Sequence, residues 1–164
     1  MATPTATPTV LITGCSDGGL GAALAEAFAR RGFHVLATLR DPSKAAGLAS
    51  CPGHIEVLPL DVTDTASIES CAAAVATKTG GRLDVLVNNA GSLFMMPLLD
   101  TDLAESKRLF DVNVWGMLAV TQAFAPMLVR SRGVVLNIAS IAGAVRMAWQ
   151  GASRSTILPP RPTP

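Results

Sequence analysis

Tyrosine is absent from the 164 residues, and aromatic side chains make up only 4% of them. Charge is scarce as well, at 15%, where an average globular domain carries about 25%. Basic and acidic groups nearly cancel to a formal net charge of +1, so no field of one sign is available for nucleic acid or an anionic bilayer. The three cysteines, Cys15, Cys51 and Cys71, have neither the spacing of a zinc clip nor that of a redox pair, and no metal site is expected. The opening Met-Ala-Thr-Pro-Thr-Ala-Thr-Pro lacks the basic and apolar regions of a secretory signal. No apolar run approaches the ~18 residues of a bilayer span. A cytoplasmic location without a membrane span is therefore the expectation. Apolar side chains are what the chain has in quantity, at 49%. At this length they suffice for one core, and they suit a sheet covered on both faces, whose strands are apolar throughout.

The patterning agrees. Residues 1–8 read as a frayed, Pro-punctuated arm. Short apolar strands are predicted at Thr9–Thr13, Phe33–Thr38, Ile55–Leu60, Leu83–Asn88 and Gly133–Ala139. Between them lie helical patterns. The first begins at Leu20, with Leu20, Leu24 and Phe28 as its apolar stripe and Gly32 as its stop. A brief helix follows Asp41, and a longer one runs from Thr63 or Asp64 to Thr79 before Gly80-Gly81. The longest covers about Leu103 to Arg130. Strands alternating with helices define an α/β fold, a doubly wound parallel sheet of Rossmann type, over residues 9–151. Residues 152–164, with four prolines in the last six positions, read as a disordered tail.

Directly after the first strand stands Thr13-Gly14-Cys15-Ser16-Asp17-Gly18-Gly19-Leu20-Gly21, and then a helix. Strand, glycines and helix are the context of a phosphate-binding loop, because glycines let a pyrophosphate approach backbone N–H groups at the positive end of a helix. A tight turn without a ligand is the bland alternative. An acid about 20 residues further on would bind the ribose hydroxyls of NAD. The second strand instead ends Thr38-Leu39-Arg40-Asp41. A guanidinium at Arg40, with Lys44 beyond it, suits a 2′-phosphate, so NADP(H) is favoured over NAD(H). Asp41 is the competing acid, and Asp17 puts a carboxylate in the loop near the expected phosphate.

With these residues the chain resembles a short-chain dehydrogenase/reductase. The glycine motif is similar to that family's Thr-Gly-x-x-x-Gly-x-Gly, one residue longer. It resembles the branch with acyldihydroxyacetone-phosphate reductases and 17β-hydroxysteroid dehydrogenase-like enzymes. Leu60-Asp61-Val62-Thr63 resembles the segment whose Asp contacts adenine. Asn88-Asn89-Ala90-Gly91 matches the motif ending the fourth strand, Asn113 the helix asparagine, and Asn137-Ile138-Ala139-Ser140 the segment with the catalytic serine. The resemblance implies cofactor contacts from Ile12, Gly14, Ser16, Gly18, Gly19, Gly21, Thr38, Arg40, Lys44, Asp61, Val62, Asn89, Ala90 and Gly91. It implies catalytic roles for Ser140 and Asn113, with a ketone or secondary alcohol as substrate. From the residues alone, Asp61 is open to being a helix cap, Asn88 and Asn89 to ordering a turn, Asn113 to a backbone role, and Ser140 to being a loop hydroxyl. Met95 and Met96 suit either an apolar pocket or the core, and His34 and His54 read as structural or surface residues.

The family protonates its carbonyl oxygen with a tyrosine, tuned by a lysine four residues on. That tyrosine is expected shortly after Trp149-Gln150-Gly151, where the chain reads Ala152-Ser153-Arg154-Ser155-Thr156, and the last lysine is Lys107. The expectation is a C-terminally truncated member, impaired in turnover, with five strands present. Its apolar fifth strand becomes an edge, and its dimer helices are incomplete, which leaves the oligomeric state open. A non-catalytic dinucleotide-binding fragment and an interaction protein using the exposed edge are the alternatives.

Overall fold

A computed structural model describes residues 7–143 and 148–156. Its elements are β1 (Thr9–Thr13), α1 (Leu20–Ala29), β2 (His34–Leu39), β3 (His54–Pro59), α2 (Thr65–Thr79), β4 (Val85–Asn88), α3 (Leu103–Phe110), α4 (Met117–Ser131), β5 (Val134–Asn137) and α5 (Gly151–Ser155). Among the described residues, five strands form one parallel sheet in the order β3-β2-β1-β4-β5. β1, β2 and β4 are buried along their whole length, whereas β5 is exposed along its own. That contrast follows position: interior strands of a parallel sheet are covered on both faces and need continuous apolar sequence.

Two cores flank the sheet. One joins Val10, Ile12, Val35, Ala37 and Val87 to α1 and to the 3₁₀ segment Pro42–Ser50. The other joins Leu11, Leu36 and Leu86 to α2 and α4 through Ile68, Val75, Val120 and Phe124. The predicted α1 stripe is corrected here. Gly21, Ala22, Ala25 and Ala29 form the buried face, Leu24 and Phe28 pack at its margin, and Leu20 is exposed. Small side chains let the helix lie close on the strands, which leucines would prevent.

Helix ends match local chemistry. Asp64 caps α2 by accepting from Ala66 N–H and Ser67 N–H, and Gly80 closes it at φ 63°. The predicted single helix from 103 to 130 is interrupted by a wider π-helical turn over Asp111–Gly116, which contains Asn113. By length and composition the continuous run Leu103–Ser131 would suffice to cross a membrane, which corrects the expectation from unbroken apolar runs. In the fold Val120, Phe124, Met127 and Leu128 pack in the second core beside the sheet, while most of the run's apolar window is not buried.

Two further expectations meet the structure at the termini. The carbonyl of Pro8, assigned to the arm, accepts from His34 N–H at 2.9 Å, so the sheet's hydrogen bonding begins there; residues 1–6 lie outside the described residues. The tail prediction from 152 is corrected up to Ser155, which ends the short helix α5, and Ser153 is buried with its hydroxyl on Phe94 O. Thr156 follows in a turn, its N–H donating to Ser153 O at 3.2 Å, and residues 157–164 of the predicted tail lie outside the described residues.

Register also assembles what sequence spacing hid. His34 and His54 are Cα partners across β2 and β3, so their rings stack 3.9 Å apart, and Glu56 lies two residues along on the same face. Among the described residues these three form the group of His, Cys, Asp and Glu side chains close enough to share a metal ion. The Glu56 carboxylate is engaged by Lys78 and by His34 at 2.8 Å. The cluster sits at the amino ends of the strands, remote from the cleft described next.

Candidate active site

The glycine loop leaves β1 at the carboxyl edge of the sheet. Gly14 holds φ 75°, and a Cβ there would stand 2.9 Å from Ala90 Cα. At Gly21 a Cβ would stand 2.5 Å from Gly14 O and 2.6 Å from Asn89 Nδ2, so only glycine lets α1 approach the loop this closely. Gly19, the α1 cap residue, has no side chain, and the first turn of α1 contains no acid. Its first N–H groups therefore have no side-chain acceptor, which is the arrangement that receives a phosphate.

Thr13 organises this corner, and the sequence reading gave it no site role. Its buried hydroxyl accepts from Asn89 N–H at 3.0 Å and Ala90 N–H at 2.9 Å. Asn89 in turn donates from Nδ2 to Thr13 O at 2.7 Å and Gly14 O at 3.2 Å. The ends of β1 and β4 are thereby locked together. The available signal was a threonine at the last strand position before the glycines.

A cleft of about 430 Å³ opens over this corner. Of the residues named from sequence, Gly14, Ser16, Arg40, Asp61, Val62, Asn89, Ala90 and Gly91 line it. Leu20, Leu39, Leu60, Ser92 and Val112, not named, line it as well. A second cavity of about 550 Å³ shares Asn89, Ala90, Gly91 and Ser92 with the first and brings in Asn113 and Ser140. The two cavities adjoin at these shared residues along the strand ends, with Arg40 lining the first and Ser140 the second.

Other named residues fall elsewhere. Ile12 and Thr38 are fully buried, and the Thr38 hydroxyl donates to Ile12 O at 3.0 Å, so neither side chain reaches the groove. Gly18 and Gly19 line a separate shallow pocket along α1. Lys44 lies on the 3₁₀ segment and outside the cleft lining. Met95 and Met96 belong neither to the cavities nor to the core; both are largely exposed.

The polar groups already have partners that define their state. Asp61 accepts from Thr63 N–H and Thr63 O–H, a local turn, while the α2 cap is Asp64. Asp41 Oδ1 accepts from Ser43 N–H and Ser43 O–H, which holds its carboxyl below the usual range and turns it into the cap of the 3₁₀ segment. Burial pushes the Cys15 thiol up to about 12, so Cys15 is a packing residue of the loop and not an activated thiolate. Asn113 donates to Ser92 O and Thr156 Oγ1 and accepts from Ser92 N–H, which pins the loop after β4. Ser140 Oγ accepts from Ala142 N–H at 3.2 Å. Asn88 Oδ1 and Gln150 Oε1 are buried without a partner among the described residues, and both side chains belong to the second cavity's lining.

A parallel sheet with a glycine loop and a groove at its strand carboxyl ends is a dinucleotide-binding fold. The family profile described as short chain dehydrogenase matches residues 8–155, and the chain belongs to that family of oxidoreductases. It is 49% identical over 148 residues to the short-chain dehydrogenase cctT of Talaromyces islandicus, covering 90% of this chain and 52% of that protein. To the NADPH-dependent 1-acyldihydroxyacetone phosphate reductase of Schizosaccharomyces pombe it is 38% identical over 143 residues, covering 87% and 48%. A metagenomic short-chain oxidoreductase solved in complex with NADP superimposes with a TM-score of 0.82 at 32% identity, covering 91% and 69%. The chain spans about half the length of the curated relatives it matches.

Proposed function

We propose that this chain carries the cofactor half of an NADP(H)-dependent short-chain reductase acting on a ketone or secondary alcohol. The observation that carries the reading is the pair of adjoining cavities at the strand carboxyl ends, with Arg40 lining one and Ser140 and Asn113 lining the other. The uncapped first turn of α1 and the backbone around Gly14 fit a diphosphate. Arg40 supplies a fixed cation to a 2′-phosphate, and the competing acid Asp41 is occupied by Ser43. Bound in the groove, the nicotinamide supplies or accepts a hydride. Ser140 presents a hydroxyl to the substrate oxygen, and Asn113 fixes Ser92 and the groove wall.

Carbonyl reduction needs a proton as well as a hydride, and no tyrosine is present to give it. Turnover of the 164-residue chain is therefore expected near background; binding of NADPH is a separate expectation. A steady-state rate in the ordinary range of about 1–1000 s⁻¹ on a carbonyl panel would contradict this. For binding, NADPH and NADH are titrated by fluorescence against wild type and Arg40→Ala. Loss of one charge-assisted contact weakens NADPH about 10- to 100-fold and leaves NADH within about threefold. Equal weakening of both removes the argument for the 2′-phosphate.

A further inference from the structure

We propose that Asp17 is a positioning residue for cofactor choice: it ties the glycine loop to the segment Asp41–Gly47, which directly follows Arg40, and so fixes the backbone from which Arg40 enters the cleft. The proposal rests on the NADP(H) reading above. Asp17 N–H donates to Lys44 O at 2.7 Å, and Asp17 Oδ2 accepts from Gly47 N–H at 3.1 Å. On its other side Lys44 N–H donates to Asp41 O at 3.0 Å. The Lys44 residue is thus clamped between Asp41, adjacent to Arg40, and Asp17, inside the loop that receives the diphosphate. Gly47 makes the clamp possible, since a Cβ there would stand 2.9 Å from Asp17 Oδ1. The carboxylate that sequence alone placed near the phosphate is turned away from it: Asp17 faces Gly47 and is not part of the cleft lining.

Two opposite expectations separate the clamp from simple charge repulsion. If the Asp17 charge merely opposed a 2′-phosphate, Asp17→Ala and Asp17→Asn would both tighten NADPH. As a clamp, Asp17→Ala removes the side-chain tie to Gly47 N–H and leaves only the main-chain bond to Lys44 O, whereas Asp17→Asn keeps an oxygen acceptor for Gly47 N–H. The test uses the 164-residue chain, with NADPH and NADH titrated by fluorescence, and hydrogen exchange read at Gly47. Asp17→Ala is expected to weaken NADPH about fivefold to tenfold, to change NADH by less than about twofold, and to speed Gly47 exchange. Asp17→Asn stays within about twofold of wild type on all three readouts. Gly47→Ala, which displaces the carboxylate from the opposite side, reproduces Asp17→Ala, and the double variant loses no more than either single one. The proposal is overturned if Ala and Asn behave alike, or if NADPH and NADH shift together. Loss of NADPH preference in Arg40→Ala but not in Asp17→Ala overturns the clamp alone. A wild type that binds both nucleotides equally overturns the NADP(H) reading and the clamp with it.

Discussion

Replacing Thr13 by valine keeps the shape of the side chain and removes its oxygen. Thr13 is 2% exposed, and its hydroxyl is the acceptor for both Asn89 N–H and Ala90 N–H. Valine leaves two half-buried donors without partners. An unsatisfied buried donor costs about 1–3 kcal/mol, and these two retain some solvent access, so the pair costs about 2–3 kcal/mol. For a chain of this size that lowers Tm by about 5–10 °C. Thr13→Ser is the control: it keeps the acceptor and loses one buried methyl, about 1 kcal/mol. Urea unfolding of the three proteins measures the difference, and NADPH titration reads the cleft, since the loop and Asn89 share the bonds that Thr13 anchors. A valine variant within about 0.5 kcal/mol of wild type, or no more harmful than serine, refutes the claim that Thr13 locks β1 to β4.

The Glu56 cluster makes stability depend on pH. The hydrogen bond from Lys78, and then that from His34, holds the Glu56 carboxyl below its usual value. Its stabilisation is therefore full above the unfolded value near 4.3 and is lost as pH falls through the lowered folded value. Glu56→Gln is expected to be about 1 kcal/mol less stable at pH 7, with the gap closing toward pH 3 in parallel urea titrations; a constant gap contradicts it. Among the described residues β5 is the edge of the sheet, and its exposed Val134, Val135 and Leu136 predict association of the isolated chain. Val135→Lys should lower light scattering on concentration without changing nucleotide affinity, and unchanged scattering argues against the edge as its cause.

Much of the site was legible because its residues sit next to strand ends that hydrophobicity alone reveals. Gly14, Arg40, Asp61, Asn89 and Ser140 each follow an apolar run, and a parallel sheet collects such positions on one side. Side-chain direction was not legible. Thr38 occupies a strand-end position as Arg40 does, yet its hydroxyl is spent on Ile12 O inside the sheet. Asn113 was placed on a helix, but the wider turn that sets it against Ser92 leaves no mark in helical periodicity.

By itself the amino-acid order determined the alternation of strands and helices, the glycine loop and the absence of tyrosine from these 164 residues, since these are properties of composition and local sequence. Only the tertiary structure decided which of two near-identical chemistries each polar group serves. It put Asp41 on Ser43, Asp17 on Gly47, and His34 beside His54 through register. Those pairings join residues through hydrogen bonds and sheet register that exist only once loops close and strands pair, and no pattern along the chain encodes their distances.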